Sequence, residues 1–268
     1  MRYRVLLVVP FAWVALFVLG DLFFYGTTSY RPFLRTEIEL AKALSLTGSL
    51  AAALVFQRGD YLRRAWFLIS ACMALLLLRD LTIAPFVSAA LGPRGLTILG
   101  GVLVVAANLS QIVGTWLLAR AWKVANLSLP GSKRGRWALV GGAVMLAMAL
   151  AGPVVLGTGR RVLSGDWTGL ASLASALGDL VSLCLVAPLL LTALALRGGL
   201  IGWPWALLTT SYVCWLVYDA LGVLAPGLGL GPHATTVANE SFRALGCLFG
   251  FSAGMAQRAV VARLRHLT

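Results

Sequence analysis

Asp219 follows Trp215 by four residues and Tyr212 by seven, so a helix through this stretch carries an acid and two aromatic rings on one face. A carboxylate beside aromatic rings suits an organic cation, drawn by charge and by the ring quadrupole together. Asp179, in Ala176-Leu-Gly-Asp, lies in the preceding apolar run. Neither acid has a Lys or Arg three or four residues away, so neither is neutralised on its own helix. A carboxylate is expensive to keep in apolar surroundings, and both read as ligand- or proton-binding residues.

The other acids have company. Asp80 follows Arg79, Glu39 precedes Lys42 by three, and Glu240 precedes Arg243 by three. Asp80, Glu39 and Glu240 join the candidate ligand set, with Arg79 and Arg243 poising the carboxylates. A self-neutralising ion-pair network that only fixes helix packing would use the same residues. Asn108, Gln111 and Thr115 form a polar stripe at i, i+3 and i+7. The stripe suits a water-filled path or hydrogen bonds between helices. Gly246, Gly250 and Gly254 make a small-residue face for close helix contact, within the bundle or between two copies. No Gly-rich phosphate loop, His-Glu-x-x-His or Gly-x-Ser-x-Gly occurs. The histidines are His233 and His266, and Cys72, Cys184, Cys214 and Cys247 have no CxxC spacing. No catalytic residue, metal ligand or cofactor is therefore assigned.

The elements that position these groups are membrane helices. The chain has 268 residues, 60% hydrophobic and 12% charged, with several runs long enough for a span of about 20 residues. No polar stretch is long enough for a soluble domain, so residues 1–268 are expected to form one integral membrane domain. The predicted architecture is all-α, a polytopic transmembrane bundle with spans near 5–25, 37–57, 65–89, 96–121, 137–157, 169–196, 204–225 and 239–257. The first span ends without the alanines preferred for signal cleavage and is read as retained. The net charge of +13 has a topological explanation, not a nucleic-acid one. Lys and Arg concentrate in alternate connections: Arg2 and Arg4, Arg58 to Arg64, Arg120 to Arg136, Arg197, and Arg258 to Arg265. The positive-inside rule then puts both termini in the cytoplasm. On that orientation the acids other than Asp60, including Asp21 and Asp166, fall in the outer half or beyond. Trp203 and Trp205 read as interfacial anchors.

The chain also repeats itself. A shift of 139 lays Arg58, Gly59, Trp66, Leu68 and Asp80 on Arg197, Gly198, Trp205, Leu207 and Asp219. One residue of adjustment lays Glu39, Leu40, Leu50, Ala53 and Gly59 on Asp179, Leu180, Leu190, Ala193 and Gly199. Arg120-Ala121 falls on Arg258-Ala259. A 4+4 internal duplication is the expectation, with repeats 1–125 and 136–265 in the same orientation, as in parallel-repeat transporters.

Arg63-Arg-Ala-Trp-x-Leu with its following Asp80, its partial echo from Trp203 to Asp219, and Ala176-Leu-Gly-Asp resemble the polytopic membrane input domains of bacterial histidine kinases and diguanylate cyclases. The resemblance implies a sensory module of a bacterial inner membrane. With no output domain in the sequence, it would signal through a partner. Tyr218-Asp219 and Gly178-Asp179 also resemble the motifs of intramembrane aspartyl proteases, in reversed order and without a Pro-Ala-Leu motif.

The expected function is binding of a small cationic or protonatable ligand in an acid-lined pocket of the outer half-bilayer. The alternatives are a small-solute or proton-coupled transporter, a structural subunit of a membrane complex and, lowest, an intramembrane aspartyl hydrolase. Expected partners are the bilayer, a membrane protein or a second copy through the Gly246, Gly250 and Gly254 face, and no nucleic acid.

Overall fold

Long apolar runs broken by short polar turns leave a backbone that can satisfy itself in lipid only as helix. The chain folds accordingly. The structure, a computed structural model, describes residues 3–81, 85–165, 169–196, 201–225 and 227–265. Arg2, Asp166, Arg197 to Gly199 and His266 lie outside the described residues.

In chain order the helices are α1 (Tyr3–Phe24), α2 (Tyr30–Val55), α3 (Tyr61–Leu81), α4 (Pro85–Ala119), α5 (Ala121–Val124), α6 (Lys133–Leu163), α7 (Leu170–Ala195), α8 (Gly202–Leu224) and α9 (Pro232–Arg265). The described residues contain no strand. Seven of these helices are long and apolar enough to cross a membrane. Together with α8, of 23 residues, they form a polytopic helical bundle.

Several boundaries differ from expectation. The third span was expected to reach residue 89, but α3 stops at Leu81 and a new helix begins at Pro85. Proline suits a first turn because its missing N–H would have had no partner there. α4 then passes through a break at Gly92 (φ 64°, ψ 172°), a backbone that suits only glycine. α5 was not expected. α9 has 34 residues. At about 1.5 Å each it is roughly 50 Å long, well beyond a hydrocarbon layer of about 30 Å.

Six helices close a ring: α2 packs on α3, α3 on α4, α4 on α7, α7 on α8, α8 on α9, and α9 back on α2. α1 lies outside against α9, and α6 outside against α7. Glycine makes the α2–α9 contact close. A Cβ on Gly254 would lie 2.2 Å from the Gly48 carbonyl oxygen, and one on Gly48 would lie 2.5 Å from that of Phe251. Gly250 faces Ser45 and Ser211, and Gly246 faces the Trp215 indole. The three glycines thus meet α2 and α8 of the same chain.

One end of the ring is filled with apolar side chains. Trp66, Leu118, Leu189, Trp205, Leu207 and Ala253 belong to one buried cluster drawn from α3, α4, α7, α8 and α9. Trp205, expected at the membrane interface, is 3% exposed within it. The start of α8 faces the bundle, so this indole packs in the core.

Candidate functional site

Chain direction and cross-helix contacts gather the acids at the other end. Arg35, early in α2, donates Nη2 to the Asp80 carbonyl oxygen at the end of α3, 2.9 Å away. Tyr30 donates its hydroxyl to Asp21 of α1 at 2.8 Å, and His233 Nε2 of α9 lies 3.1 Å from the other Asp21 oxygen. The ring of Tyr25 covers His233, with centroids 3.7 Å apart. The start of α2, the end of α1 and the start of α9 are thus tied together.

Within this half the ring is hollow. A cavity of about 220 Å³ touches all six ring helices, and its lining includes Asp179, Asp219, Asn108, Gln111, Tyr212 and Trp215. Arg79 and Arg243 also reach it, as do Lys42, Ser175, Ser182 and Tyr218. At about 30 Å³ per water, the space holds roughly seven waters, which suits a small solute better than a lipid.

The floor is set by the polar stripe of α4. The buried Tyr212 hydroxyl is hydrogen-bonded to Thr115 and accepts from Gln111 Nε2 at 2.9 Å. Thr115 is therefore beneath the cavity and not part of its lining. Gln111 keeps its carbonyl Oε1 buried with no partner among the described residues. Asn108 donates Nδ2 to the Ala174 carbonyl oxygen of α7 at 3.4 Å. It fits because residue 178 is glycine: a Cβ there would lie 2.5 Å from Nδ2. Trp215 fits for the same reason against Gly246, where a Cβ would lie 2.8 Å from the indole nitrogen. Tyr218 meets Trp215 edge to face at 5.7 Å.

The acids divide into two sets. Asp80 is held by Lys42 on one oxygen and by Arg79 on the other, the latter through Nε at 2.9 Å and Nη2 at 2.6 Å. Glu39 takes Arg35 at 2.5 Å, and Glu240 takes Arg243 at 3.4 Å. These three acids lie in an adjacent groove with Lys42, Arg79 and Arg243, not in the cavity lining. Asp179 and Asp219 are different. Both are half-buried, both line the cavity, and among the described residues neither has a hydrogen bond or an ion pair.

Lys42 is the residue that sequence reasoning misplaced. It was expected to pair with Glu39 three residues earlier, but that acid faces Arg35, and Lys42 crosses to Asp80 with its side chain only 2% exposed. A lysine twelve positions into an apolar helix was itself the signal, since a buried intramembrane base requires an acid on another helix. The Asp21, Tyr30 and His233 cluster has no signal in the expected spans, because His233 falls between 204–225 and 239–257, whereas α9 already begins at Pro232.

Among the described residues no three His, Cys, Asp or Glu side chains converge as metal ligands. Of the charges that reach the cavity, Lys42, Arg79 and Arg243 are taken up by Asp80 and Glu240, which leaves, among the described residues, two unpartnered carboxylates and an aromatic wall. That set accepts hydrogen bonds and positive charge. Comparison with protein-family models, curated proteins and solved structures gives no match for this chain.

Proposed function

We propose that this protein is a membrane ligand-binding module of sensory type, whose ligand is a small organic cation seated between Asp179 and Asp219. The observation that carries the reading is that these two acids share one cavity and, among the described residues, have no basic partner, whereas Asp80, Glu39 and Glu240 each have at least one. An unpaired carboxylate in an apolar bundle costs free energy that a bound cation recovers. Trp215, Tyr212 and Tyr218 supply ring surface beside the charge. Arg79 and Arg243 hold the neighbouring acids and keep them from competing.

In this reading both termini face the cytoplasm of a bacterial cell and the cavity opens near the outer face. Occupancy passes to a membrane partner. The Tyr212, Thr115 and Gln111 floor above the packed apolar end supports binding over free passage. Transport remains the alternative, through rearrangement of that floor. The scaffold alternative draws its support from the Lys42, Asp80 and Arg79 pairs, from Arg35 with Glu39 and Arg243 with Glu240, and from the Asp21, Tyr30 and His233 cluster.

The test is a panel of small amines added to the purified protein in lipid nanodiscs, read by thermal shift and calorimetry. Saturable binding is expected, weakened about 30-fold or more in a folded Asp219→Asn variant, since removing one partner of a buried charged contact costs about 2 kcal/mol or more. No binding by any amine, or equal binding by both proteins, would end the proposal. Liposome flux of a bound amine would move the assignment to transport.

A further inference from the structure

The two halves of the chain, aligned as their repeated residues dictate, differ at the positions that decide charge. The shift of 140 that sets Glu39 on Asp179 also sets Arg35 on Ser175 and Lys42 on Ser182. The shift of 139 that sets Asp80 on Asp219 sets Arg79 on Tyr218. In the first half, Arg35, Lys42 and Arg79 are the bases that neutralise Glu39 and Asp80. Each has a neutral counterpart in the second half, and Ser175, Ser182 and Tyr218 all line the cavity. The second half has acids at these aligned positions and neutral residues where the first half has bases.

The ring supports the same comparison. The contact of α2 with α3 has its counterpart in α7 with α8, that of α3 with α4 in α8 with α9, and that of α4 with α7 in α9 with α2. A twofold axis along the ring would carry Lys42 onto Ser182, beside the unpaired Asp219.

We infer that the ligand is a primary alkylammonium whose charged end occupies, in the second half, the place that the Lys42 ammonium occupies in the first. The inference rests on the cation-binding reading above and narrows it to one chemical class. A primary ammonium carries three N–H donors, and the carboxylates of Asp179 and Asp219, unpartnered among the described residues, present their oxygens to the cavity as acceptors. A quaternary ammonium satisfies the aromatic wall but leaves both carboxylates without a hydrogen bond. The ligand's alkyl part would lie where the Lys42 stem would lie after rotation, towards the apolar Leu183 and Val186.

The experiment compares n-butylammonium with tetramethylammonium on the wild-type protein in nanodiscs, and both on a Ser182→Lys variant. Butylammonium is expected to bind at least tenfold more tightly than tetramethylammonium. Ser182→Lys is expected to carry its own ammonium into the site, abolish butylammonium binding and raise the melting temperature as saturating butylammonium does for wild type. Equal or tighter binding of tetramethylammonium would overturn the inference and leave the cation site standing. Undiminished butylammonium binding by a folded Ser182→Lys protein would also overturn it. If that variant does not fold, the wild-type comparison decides alone, and binding of neither cation would overturn the cation reading as well.

Discussion

Replacing Asp80 by Asn should destabilise the protein more than replacing Lys42 by Met, although the two side chains form one ion pair. The asymmetry comes from their other partners. The Lys42 side chain is 2% exposed, and among the described residues Asp80 is its one ion-pair partner. Asp80 is also gripped by Arg79 through two nitrogens. Asp80→Asn strands a buried ammonium, at a cost of about 3–5 kcal/mol for a broken buried pair. The cost is felt in full, because the lysine of the unfolded chain in detergent reaches water and is not stranded there. Lys42→Met leaves Asp80 with Arg79 and forfeits one charged hydrogen bond, about 1.5–3 kcal/mol. In the double variant no ammonium is left to strand, so it should be more stable than Asp80→Asn alone by roughly 1–2 kcal/mol. Reversible unfolding by SDS in mixed micelles measures all three. A larger cost for Lys42→Met, or strict additivity in the double variant, would refute the reasoning.

Asp219→Asn should leave the melting temperature unchanged or raise it, opposite to Asp80→Asn, because it removes a carboxylate that has no partner to lose among the described residues. Gly254→Ala should cost about 3 kcal/mol or more in the same unfolding assay, at or above the top of the usual overpacking range, because its new carbon meets the Gly48 backbone 2.2 Å away. Gly178→Ala should cost only about 1 kcal/mol, since the obstacle at 2.5 Å is the Asn108 side chain, which can swing away and give up one hydrogen bond. Tyr212→Phe should cost about 1–3 kcal/mol by leaving Thr115 and Gln111 without their shared hydroxyl.

The bundle was legible in the sequence because apolar run length is a direct consequence of bilayer thickness. All eight expected segments are helical, and Tyr212, Trp215 and Asp219 share the cavity as their spacing required. What stayed hidden was set between helices. Local spacing offered Lys42 to Glu39, and only the packing of α2 on α3 shows that Asp80 takes it. The stripe on α4 could have lined a pore. Tyr212 on α8 turns Thr115 into floor and leaves Gln111 half satisfied. The expected third span runs past the end of α3 because residues 82–89 are as apolar as the helix before them, and Pro85 opens a new helix there. The closure of the ring needed the Gly48 and Gly254 contact, which no single helix reveals.

The central claim is that Asp179 and Asp219 charge a water-filled space in the middle of the ring. Ser175 lines that space, so Ser175→Cys in a protein whose four native cysteines are replaced by serine puts a reporter inside it. The rate of its modification by cationic and by anionic methanethiosulfonate reagents is the deciding measurement. The cationic reagent should react at least tenfold faster, and the preference should vanish in the Asp179→Asn/Asp219→Asn background. Equal rates for the two reagents before the acids are removed, or no reaction with either, would contradict the claim.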